Sequence, residues 1–452
     1  MNNYKQTKWI ALLFLIMAMA YSDTLAQNGM VLKTHELPSH NTLIRVWNND
    51  LSIGYADDMQ QGCFFLEDIA NKHLTVIRLQ DYVLVSDFRV YGNRVFFCGS
   101  FEGIPKRGVV GWFDINAVFY GTGSVYYGVF PPLSSSSYGV RRFARMDVFE
   151  HAGNVHMALI GKLEMLGVST TLTTVCDVYH NGSSWVAYYN IGLTDPDYLI
   201  YTDIAASDRY VVAAAKKFNS PYYTVSIYIK SSNFLSTPLS TGTKYRLFGD
   251  TPLDDLLIED VRPDAFVLAH YYDSLSLAGT EFELFNIASN TIVPQLYWQV
   301  SHGVNAANLG GKLRSLHYDY SRQRLLLLHS ARCNQYSGIE NTVIEHDIYS
   351  IPASFVKGSF IHGVEMNGLD EMPNGHHQTI GTTNPSNDSL TFSHEWDENQ
   401  PACRKAFELS VRSLPLTYDT IHYPEQIFTP SVSNSAILPT KMEVELDTQC
   451  EY

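Results

Sequence analysis

A hairpin-like segment that returns at a nearly constant interval is the strongest constraint on how this chain folds. The clearest copy is SDFRVYGNRVFFCGS (86–100), in which an alternating stretch and an almost wholly apolar run flank a turn at Gly92. Each copy has a polar anchor position near its start, and successive anchors are 60, 56, 57 and 55 residues apart: Asp87, Asp147, Asp203, Asp260 and Ser315. Five copies at such even spacing indicate one structural unit that the chain repeats.

A second element recurs inside the units, an apolar strand that ends in Asp or Asn before an aliphatic residue. It occurs as GVVGWFDI (108–115), TTVCDV (173–178), FELFNI (282–287) and TVIEHDI (342–348). Each unit therefore contains a hairpin, a third strand and a more variable fourth strand. The 29 Tyr and 23 Phe residues, together with the lack of helical apolar spacing beyond the N-terminus, favour an all-β fold.

Four-stranded units that repeat with this period predict a β-propeller. A single blade cannot bury both of its faces, whereas neighbouring blades in a ring cover one another. Because a ring does not divide into independent parts, we expect residues 27–452 to form one domain. A tandem pair of β-sandwiches is the alternative, which accounts for the strands but not for their period.

The number of blades follows less directly from the sequence. Residues 42–79 read as a first unit and residues 377–411 as a seventh, with Glu371 as a further anchor 56 residues after Ser315. The segment EVELDT (443–448) is expected to complete a blade where the ring closes. These units predict seven blades, with six and eight as alternatives.

The N-terminus has the pattern of a signal peptide. Lys5 and Lys8 precede the apolar run WIALLFLIMAMAY (9–21), and small residues stand at the positions that predict cleavage after Ala26. The apolar run is short for a bilayer span, and no later stretch is long enough, so we expect no membrane span in the mature chain. Residues 1–26 therefore predict export to the periplasm, the cell surface or the medium.

Six cysteines are sparse and form no CxxC pair, which argues against a zinc site. Cys63, Cys98 and Cys176 lie in apolar runs and are expected to be buried thiols. Cys403 and Cys450 lie in polar segments, and in an oxidising compartment we expect them to form a disulfide that fixes the C-terminus.

The formal net charge of −15 argues against nucleic acid and anionic membrane surfaces as partners. Through its repeated hairpins, over about residues 42–411, the chain resembles exported bacterial β-propeller proteins without a recognised catalytic signature. It does not repeat the Gly-His and Trp-Asp marks of WD40 repeats, and it lacks the repeated S-x-D-x-G-x-T-W boxes of sialidases. The resemblance implies a fold and no particular activity.

The anchor acids are the first candidates for a site: Asp87, Asp147, Asp203 and Asp260. Innermost propeller strands lie near the central channel, where a ring of carboxylates could hold Ca²⁺. No other cofactor is expected. The alternative is that each acid caps backbone N–H groups at the entry of its strand, and Ser315 at the same position favours this structural role.

Two further polar segments are candidates for chemistry. His394, Glu395, Asp397 and Glu398 lie within SHEWDENQ (393–400), and His346 precedes Asp347. Such groups suit a metal ion or an acid–base pair, although a solvated turn has the same composition. No nucleophile or phosphate-binding motif is present, so the catalytic residues stay unknown.

Three functions remain compatible with these observations. The preferred one is an exported, monomeric binding module with a protein or glycan ligand at one rim, where Tyr pairs such as Tyr126–Tyr127 suit recognition. The missing catalytic motifs favour binding over catalysis and leave enzymatic activity open. The second is a polysaccharide hydrolase or lyase with carboxylates at the channel mouth. The third is a structural component of the cell envelope.

Overall fold

The computed structural model describes residues 31–34, 41–48, 51–57, 60–68, 73–131, 139–164, 172–192, 199–217, 222–229, 238–245, 256–273, 278–289, 291–301, 312–320, 323–332, 339–347, 357–362, 365–371, 377–382, 391–396, 404–406, 408–411, 419–420, 425–445 and 447–449. Residues 1–26, Cys403 and Cys450 lie outside these ranges, so the signal peptide and the disulfide stay predictions. Within the ranges, no helix is long and apolar enough to cross a bilayer.

The strands up to residue 396 are β1 Val31–Thr34, β2 Asn41–Val46, β3 Leu51–Asp57, β4 Gly62–Asp68, β5 His73–Arg78, β6 Val83–Tyr91, β7 Arg94–Phe101, β8 Arg107–Asp114, β9 Val125–Val129, β10 Gly139–His151, β11 Asn154–Glu164, β12 Leu172–His180, β13 Trp185–Gly192, β14 Leu199–Ala206, β15 Tyr210–Lys217, β16 Tyr222–Ile229, β17 Pro238–Tyr245, β18 Leu256–Arg262, β19 Ala265–Asp273, β20 Ala278–Ala288, β21 Thr291–Ser301, β22 Lys312–Asp319, β23 Arg324–Arg332, β24 Ile339–Asp347, β25 Lys357–His362, β26 Glu365–Glu371, β27 His377–Thr382 and β28 Thr391–Trp396. The C-terminal strands are β29 Arg404–Ala406, β30 Glu408–Val411, β31 Asp419–Thr420, β32 Glu425–Phe428, β33 Ser433–Ile437, β34 Thr440–Glu445 and β35 Asp447–Gln449. A π-helical turn, Asn116–Tyr120, lies between β8 and β9.

The described strands form seven antiparallel sheets of five strands each. Four strands of each sheet run in order from first to fourth, and we number the blades by them: blade 1 β2–β5, blade 2 β6–β9, blade 3 β10–β13, blade 4 β14–β17, blade 5 β18–β21, blade 6 β22–β25, and blade 7 β26–β28 followed by β1. The first strands contact one another in a closed circle that runs from β2 through β6, β10, β14, β18, β22 and β26 back to β2. This circle is a β-propeller and rules out the tandem sandwich.

The fifth strand of every blade comes from the C-terminal strands β29–β35, which we call the belt. β29 pairs with blade 6, β30 with blade 5, and each following strand with the preceding blade until β34 reaches blade 1. The belt thus travels around the ring against the order of the blades. Its last strand, β35, pairs with β1 in blade 7, so the N-terminal and C-terminal strands lie side by side in one sheet.

The core lies between blades, because each inner strand sends alternate side chains to two neighbours. On β7, Val95 and Phe97 join a buried cluster with blade 1, whereas Phe96 and Cys98 join a cluster with blade 3. A strand that is covered on both faces needs apolar residues at nearly every position, as RVFFCG has. The preceding turn needs Gly92, which has a φ of +57°.

The prediction of a β-propeller with four-stranded blades is confirmed, but the fifth strand was not predicted. The expected seventh unit at 377–411 is partly wrong, because β29 and β30 are belt strands of blades 6 and 5. Of the segment 443–448, residues 447 and 448 pair with β1 in blade 7, where the ring closes, whereas residues 443–445 belong to the belt strand of blade 1. Cys63, Cys98 and Cys176 are buried free thiols, as predicted.

Candidate functional site

A cavity of about 240 Å³ lies at the centre of the ring. It is lined by the first strands of six blades, and most of its lining residues fall in the second half of those strands. The charged or titratable lining groups are Arg45, Arg89, Asp147, Glu259, Asp260, His317 and Asp370. We call this cavity the channel mouth.

β-Bulges place several anchor residues at the junctions between blades. The pairing register shifts directly before Asp87 on β6, before Asp203 on β14 and before Ser315 on β22. A bulge bends its strand and re-aims the next side chain. In each case the re-aimed side chain contacts the backbone of the next blade.

Asp87 is the most enclosed anchor, with 1% of its side chain exposed. Its Oδ1 lies 2.9 Å from Arg89 Nη1 and 3.2 Å from Arg45 Nη2, and its Oδ2 accepts a hydrogen bond of 3.1 Å from the Met146 amide of blade 3. Burial alone would raise the pKa of Asp87, but the charges of Arg89 and Arg45 hold that pKa below its ordinary value. Asp87 is therefore a charged bridge between blades 2 and 3.

Asp147 and Asp203 connect the next two pairs of blades in the same way. Asp147 Oδ2 accepts a 2.7 Å hydrogen bond from the Ala206 amide, and Asp203 Oδ2 accepts a 2.9 Å bond from the Ile258 amide. Burial raises the pKa of Asp147, and it raises the pKa of Asp203 to about 6, although positive charge and the amides act against it. Both carboxylates have a structural partner in the following blade.

The remaining junctions use other residues for the same purpose. Glu259 Oε1 lies 3.4 Å from the Tyr318 amide, and Asp370 Oδ2 accepts a 2.7 Å hydrogen bond from the Val46 amide. Ser315 Oγ donates to the Leu369 carbonyl at 3.3 Å, and Asn41 Nδ2 donates to the Val85 carbonyl at 3.1 Å. With these bonds, a side chain of each first strand reaches the backbone of the next first strand all the way around the ring.

These bonds agree with the structural interpretation of the anchors. Asp87 and Asp147 also accept hydrogen bonds from the amides that follow them, those of Phe88 and Val148. Among the described residues, no three His, Cys, Asp or Glu side chains group as a metal ion requires. The Ca²⁺ site at the anchor acids is not tested by this finding and stays a prediction.

Asp260 differs from the other anchor acids, because a hydroxyl group of blade 6 bonds to its carboxylate. The Tyr320 hydroxyl donates to Asp260 Oδ2 and lies 3.2 Å from the Asp260 carbonyl. Burial, followed by the negative charges of Glu259 and Asp147, raises the pKa of Asp260 to about 7. Asp260 therefore changes its protonation state near neutral pH at the edge of the cavity.

The channel mouth has two sides of different charge. On the side of blades 1 to 3, Arg45 and Arg89 are paired with Asp87, and Arg89 Nε also lies 3.4 Å from Asp147. On the side of blades 5 to 7, the lining groups are Glu259, Asp260, Asp370 and His317, whose ring nitrogens lie 3.5 Å from Glu259 Oε1 and 3.8 Å from Asp370 Oδ1. The charges of Glu259 and Asp370 also act on Arg89 and Arg45 across the cavity. The second side has the excess of negative charge.

Sequence reasoning placed some of these residues and missed others. Glu259 and Asp370 bond to the backbone of the next blade, each one residue before the predicted anchors Asp260 and Glu371. Arg89 stands two residues after Asp87, on the same face of the strand. This spacing is the feature of the sequence that indicates their pairing. His346 and Asp347 end β24 and His394 and Glu395 lie in β28, whereas Asp397 and Glu398 lie outside the described residues.

No protein-family model matches the sequence, and no curated protein is similar to it in sequence. Among solved structures, the β-propeller domain of Nup133 from Vanderwaltozyma polyspora aligns with 81% of this chain and 98% of its own, at 9% identity and a TM-score of 0.40. The NanB sialidase from Streptococcus pneumoniae covers 82% and 94%, at 9% identity and a TM-score of 0.34. The WD40 domain of SCAP from fission yeast covers 80% and 96%, at 7% identity and a TM-score of 0.33. These likenesses are remote, so the fold assignment rests on the sheet topology, and the narrower resemblance to exported bacterial propellers stays a prediction.

Proposed function

We propose that this protein is a binding module that receives a cationic group of its ligand in the channel mouth. The observation that carries this proposal is the unequal charge of the cavity, which has the three carboxylates Glu259, Asp260 and Asp370 on one side, whereas the arginines of the other side also pair with Asp87. A cavity of about 240 Å³ is small, and it suits one side chain or one sugar substituent better than a whole ligand. The rest of the ligand would lie on the rim.

The pKa of Asp260 gives the proposed site a defined pH dependence. Its pKa is raised to about 7 by burial and, after that, by the negative charges of Glu259 and Asp147, which repel its own. A bound cation would offset this repulsion and favour the ionised carboxylate. Below pH 7, the protonated carboxyl group of Asp260 must release its proton before it can pair with the cation. Affinity is therefore expected to rise as the pH increases through 7.

Titration calorimetry with paired probes tests the proposal. A lysine-containing peptide and a glucosamine oligomer carry ammonium groups, whereas their N-acetylated forms do not. We expect at least one ammonium form to bind more tightly than its acetylated form, and Asp260→Asn to weaken that binding about tenfold. Asp208→Asn, at an exposed turn of blade 4, is the matched control. Equal binding of both forms, or no effect of Asp260→Asn, would contradict the proposal.

A polysaccharide hydrolase is a second candidate, because a carboxyl group with a pKa near 7 is suited to general acid catalysis. Against it, Asp87, Asp147 and Asp203 are each bound to the backbone of a neighbouring blade. Release of reducing sugar ends from polysaccharides, abolished by Asp260→Asn, is the result that would favour catalysis over binding. A structural role in the envelope has no comparable observation in its favour.

We also propose that binding takes place outside the cytoplasm. Residues 1–26 support this by their charge and apolar pattern. N-terminal sequencing of the protein from the periplasm, cell surface and medium is the test. A mature terminus at Gln27 is expected, and an intact Met1 on cytoplasmic protein would refute export.

A further inference from the structure

A group of cations lies at the other end of the strands from the channel mouth, where β8 and β10 begin and β11 ends. We call Lys106, Arg107, Arg142 and Lys162 the basic patch. Lys106 and Arg107 stand at the start of β8 in blade 2, and Arg142 and Lys162 are direct partners on β10 and β11 of blade 3. These four cations are grouped together although the chain as a whole has a net charge of −15.

Close packing of the two strand starts holds the halves of the patch together. A β-carbon at Gly108 would lie 2.8 Å from Val140 Cγ1 and 2.9 Å from Phe143, so β8 touches β10 beside Arg107. Arg142 Nε donates to Ser86 Oγ at 2.8 Å, which fixes its position over blade 2. Lys106 is 45% exposed, and Arg142 and Lys162 are exposed as well, so the charges face solvent.

Counted over the described residues, the patch contains more positive charge than the neighbouring carboxylate neutralises. Like charges at directly opposite strand positions repel each other, and burial together with the charge of Arg142 lowers the pKa of Lys162. The carboxylate of Glu102 lies beside the patch, and Lys106 and Ser100 bond to it. Burial alone would raise the pKa of Glu102, but these bonds and the charge of Arg142 lower it. Within the described residues, Arg107 Nε has no hydrogen-bond partner.

Exposed apolar side chains border the cations. Ile104, in the turn between β7 and β8, has a relative exposure of 103%, and Tyr82 is 50% exposed. The Tyr82 ring contacts Phe101 at a centroid distance of 6.4 Å, and the guanidinium of Arg107 lies 4.9 Å from the Phe101 ring centroid. Cations and apolar groups therefore form one continuous surface of blades 2 and 3.

We propose that the basic patch docks an acidic segment of a partner protein, with an apolar side chain of that segment against Ile104 and Tyr82. Arginine and exposed aromatic groups are enriched at protein interfaces, where carboxylates pair with guanidinium groups. A polyanionic glycan would satisfy the cations but would leave the aliphatic Ile104 uncovered. An anionic bilayer would repel the remainder of a chain with 46 acidic residues.

This docking surface is independent of the proposed channel ligand, because the two sites share no residue and prefer opposite charges. The proposal adds a second partner to the molecule. The two proposals can therefore fail separately.

Fluorescence anisotropy with synthetic peptides tests the proposal on the full chain. The probe is a glutamate-rich peptide with one central leucine, and its matched partner carries serine in place of leucine. We expect the leucine peptide to bind several-fold more tightly, with binding that weakens as salt increases. Arg142→Gln combined with Lys162→Gln should weaken it about tenfold, and Ile104→Ser should remove the preference for leucine.

Lys312→Gln is the control variant, because Lys312 is exposed at the same end of the strands in blade 6. It should leave both affinities unchanged, and circular dichroism verifies that every variant is folded. Absent binding of the leucine peptide, equal binding of the two peptides, or equal loss in Lys312→Gln would each overturn the proposal. Tighter binding of oligogalacturonate than of the leucine peptide, unchanged by Ile104→Ser, would also overturn the proposal and would assign the patch to a glycan.

Discussion

The inner circle of first strands and the outer belt both connect all seven blades, but they do so by different chemistry. In the inner circle, individual side chains such as Asp87 and Asp370 bond to the backbone of the next blade. In the belt, backbone groups pair with backbone groups along short strands of two to six residues. The connections of the inner circle therefore depend on which residue stands at each anchor position, whereas those of the belt depend on where each strand lies along the chain.

The belt is expected to have the larger effect on stability, and its removal gives the strongest prediction. Deletion of residues 404–452 exposes a strand edge on every blade and removes the partner of β1 in blade 7. We expect a loss of about 10 kcal/mol or more in the free energy of unfolding, comparable to the whole stability of a domain. Circular dichroism and light scattering should show an aggregated or unfolded chain, and a soluble monomer with unchanged melting would disprove the role of the belt.

The buried charge bridge at Asp87 gives the second prediction. Asp87→Ala leaves Arg45 and Arg89 without their shared carboxylate in an enclosed site, and we expect a loss of about 3–5 kcal/mol in urea unfolding. Asp81→Asn, at an exposed position of the same blade, is the control and should change stability by less than about 0.5 kcal/mol. Similar losses in both variants would mean that the charge bridge at Asp87 contributes no more to stability than an exposed carboxylate does.

Asp260 predicts an effect of opposite sign. Its pKa is raised to about 7 from an ordinary value of 3.8, so the folded protein holds this proton more tightly than the unfolded chain. The resulting stability is complete below pH 3.8 and is lost as the pH rises toward 7. Asp260→Asn should therefore stabilise the protein at pH 8 by about 1–3 kcal/mol and flatten its stability between those pH values. Destabilisation at pH 8 would show that Asp260 has a structural partner that compensates its charge.

Ser315 gives the smallest effect within the inner circle. Its hydroxyl makes one neutral hydrogen bond of 3.3 Å to the Leu369 carbonyl at the junction of blades 6 and 7. Ser315→Ala should cost about 0.5–1.5 kcal/mol in urea unfolding, well below the loss in Asp87→Ala. A cost equal to that of Asp87→Ala would mean that the junctions respond to the loss of any bond and not to its charge.

The same contrast explains what could be predicted from the sequence. The inner strands are covered on both faces and need polar anchors at fixed places, so they repeat visibly, as around Asp87 and Asp203. The belt strand β33 has mainly exposed side chains and no apolar alternation, so nothing in SNSAI indicates its pairing with β9. The channel residues Arg45, Glu259 and His317 come from three different blades, and their proximity follows only from closure of the ring.

The position of the belt has a consequence for how the protein is made. Its strands follow all the blades in the sequence and pair with blades 6 to 1 in reverse order, before β35 pairs with β1 in blade 7. Each blade therefore leaves the ribosome without its outermost strand, and the first blades wait longest for theirs. A chain of this design acquires the outer edges of its blades only once the belt strands, which follow all the blades in the sequence, have been made.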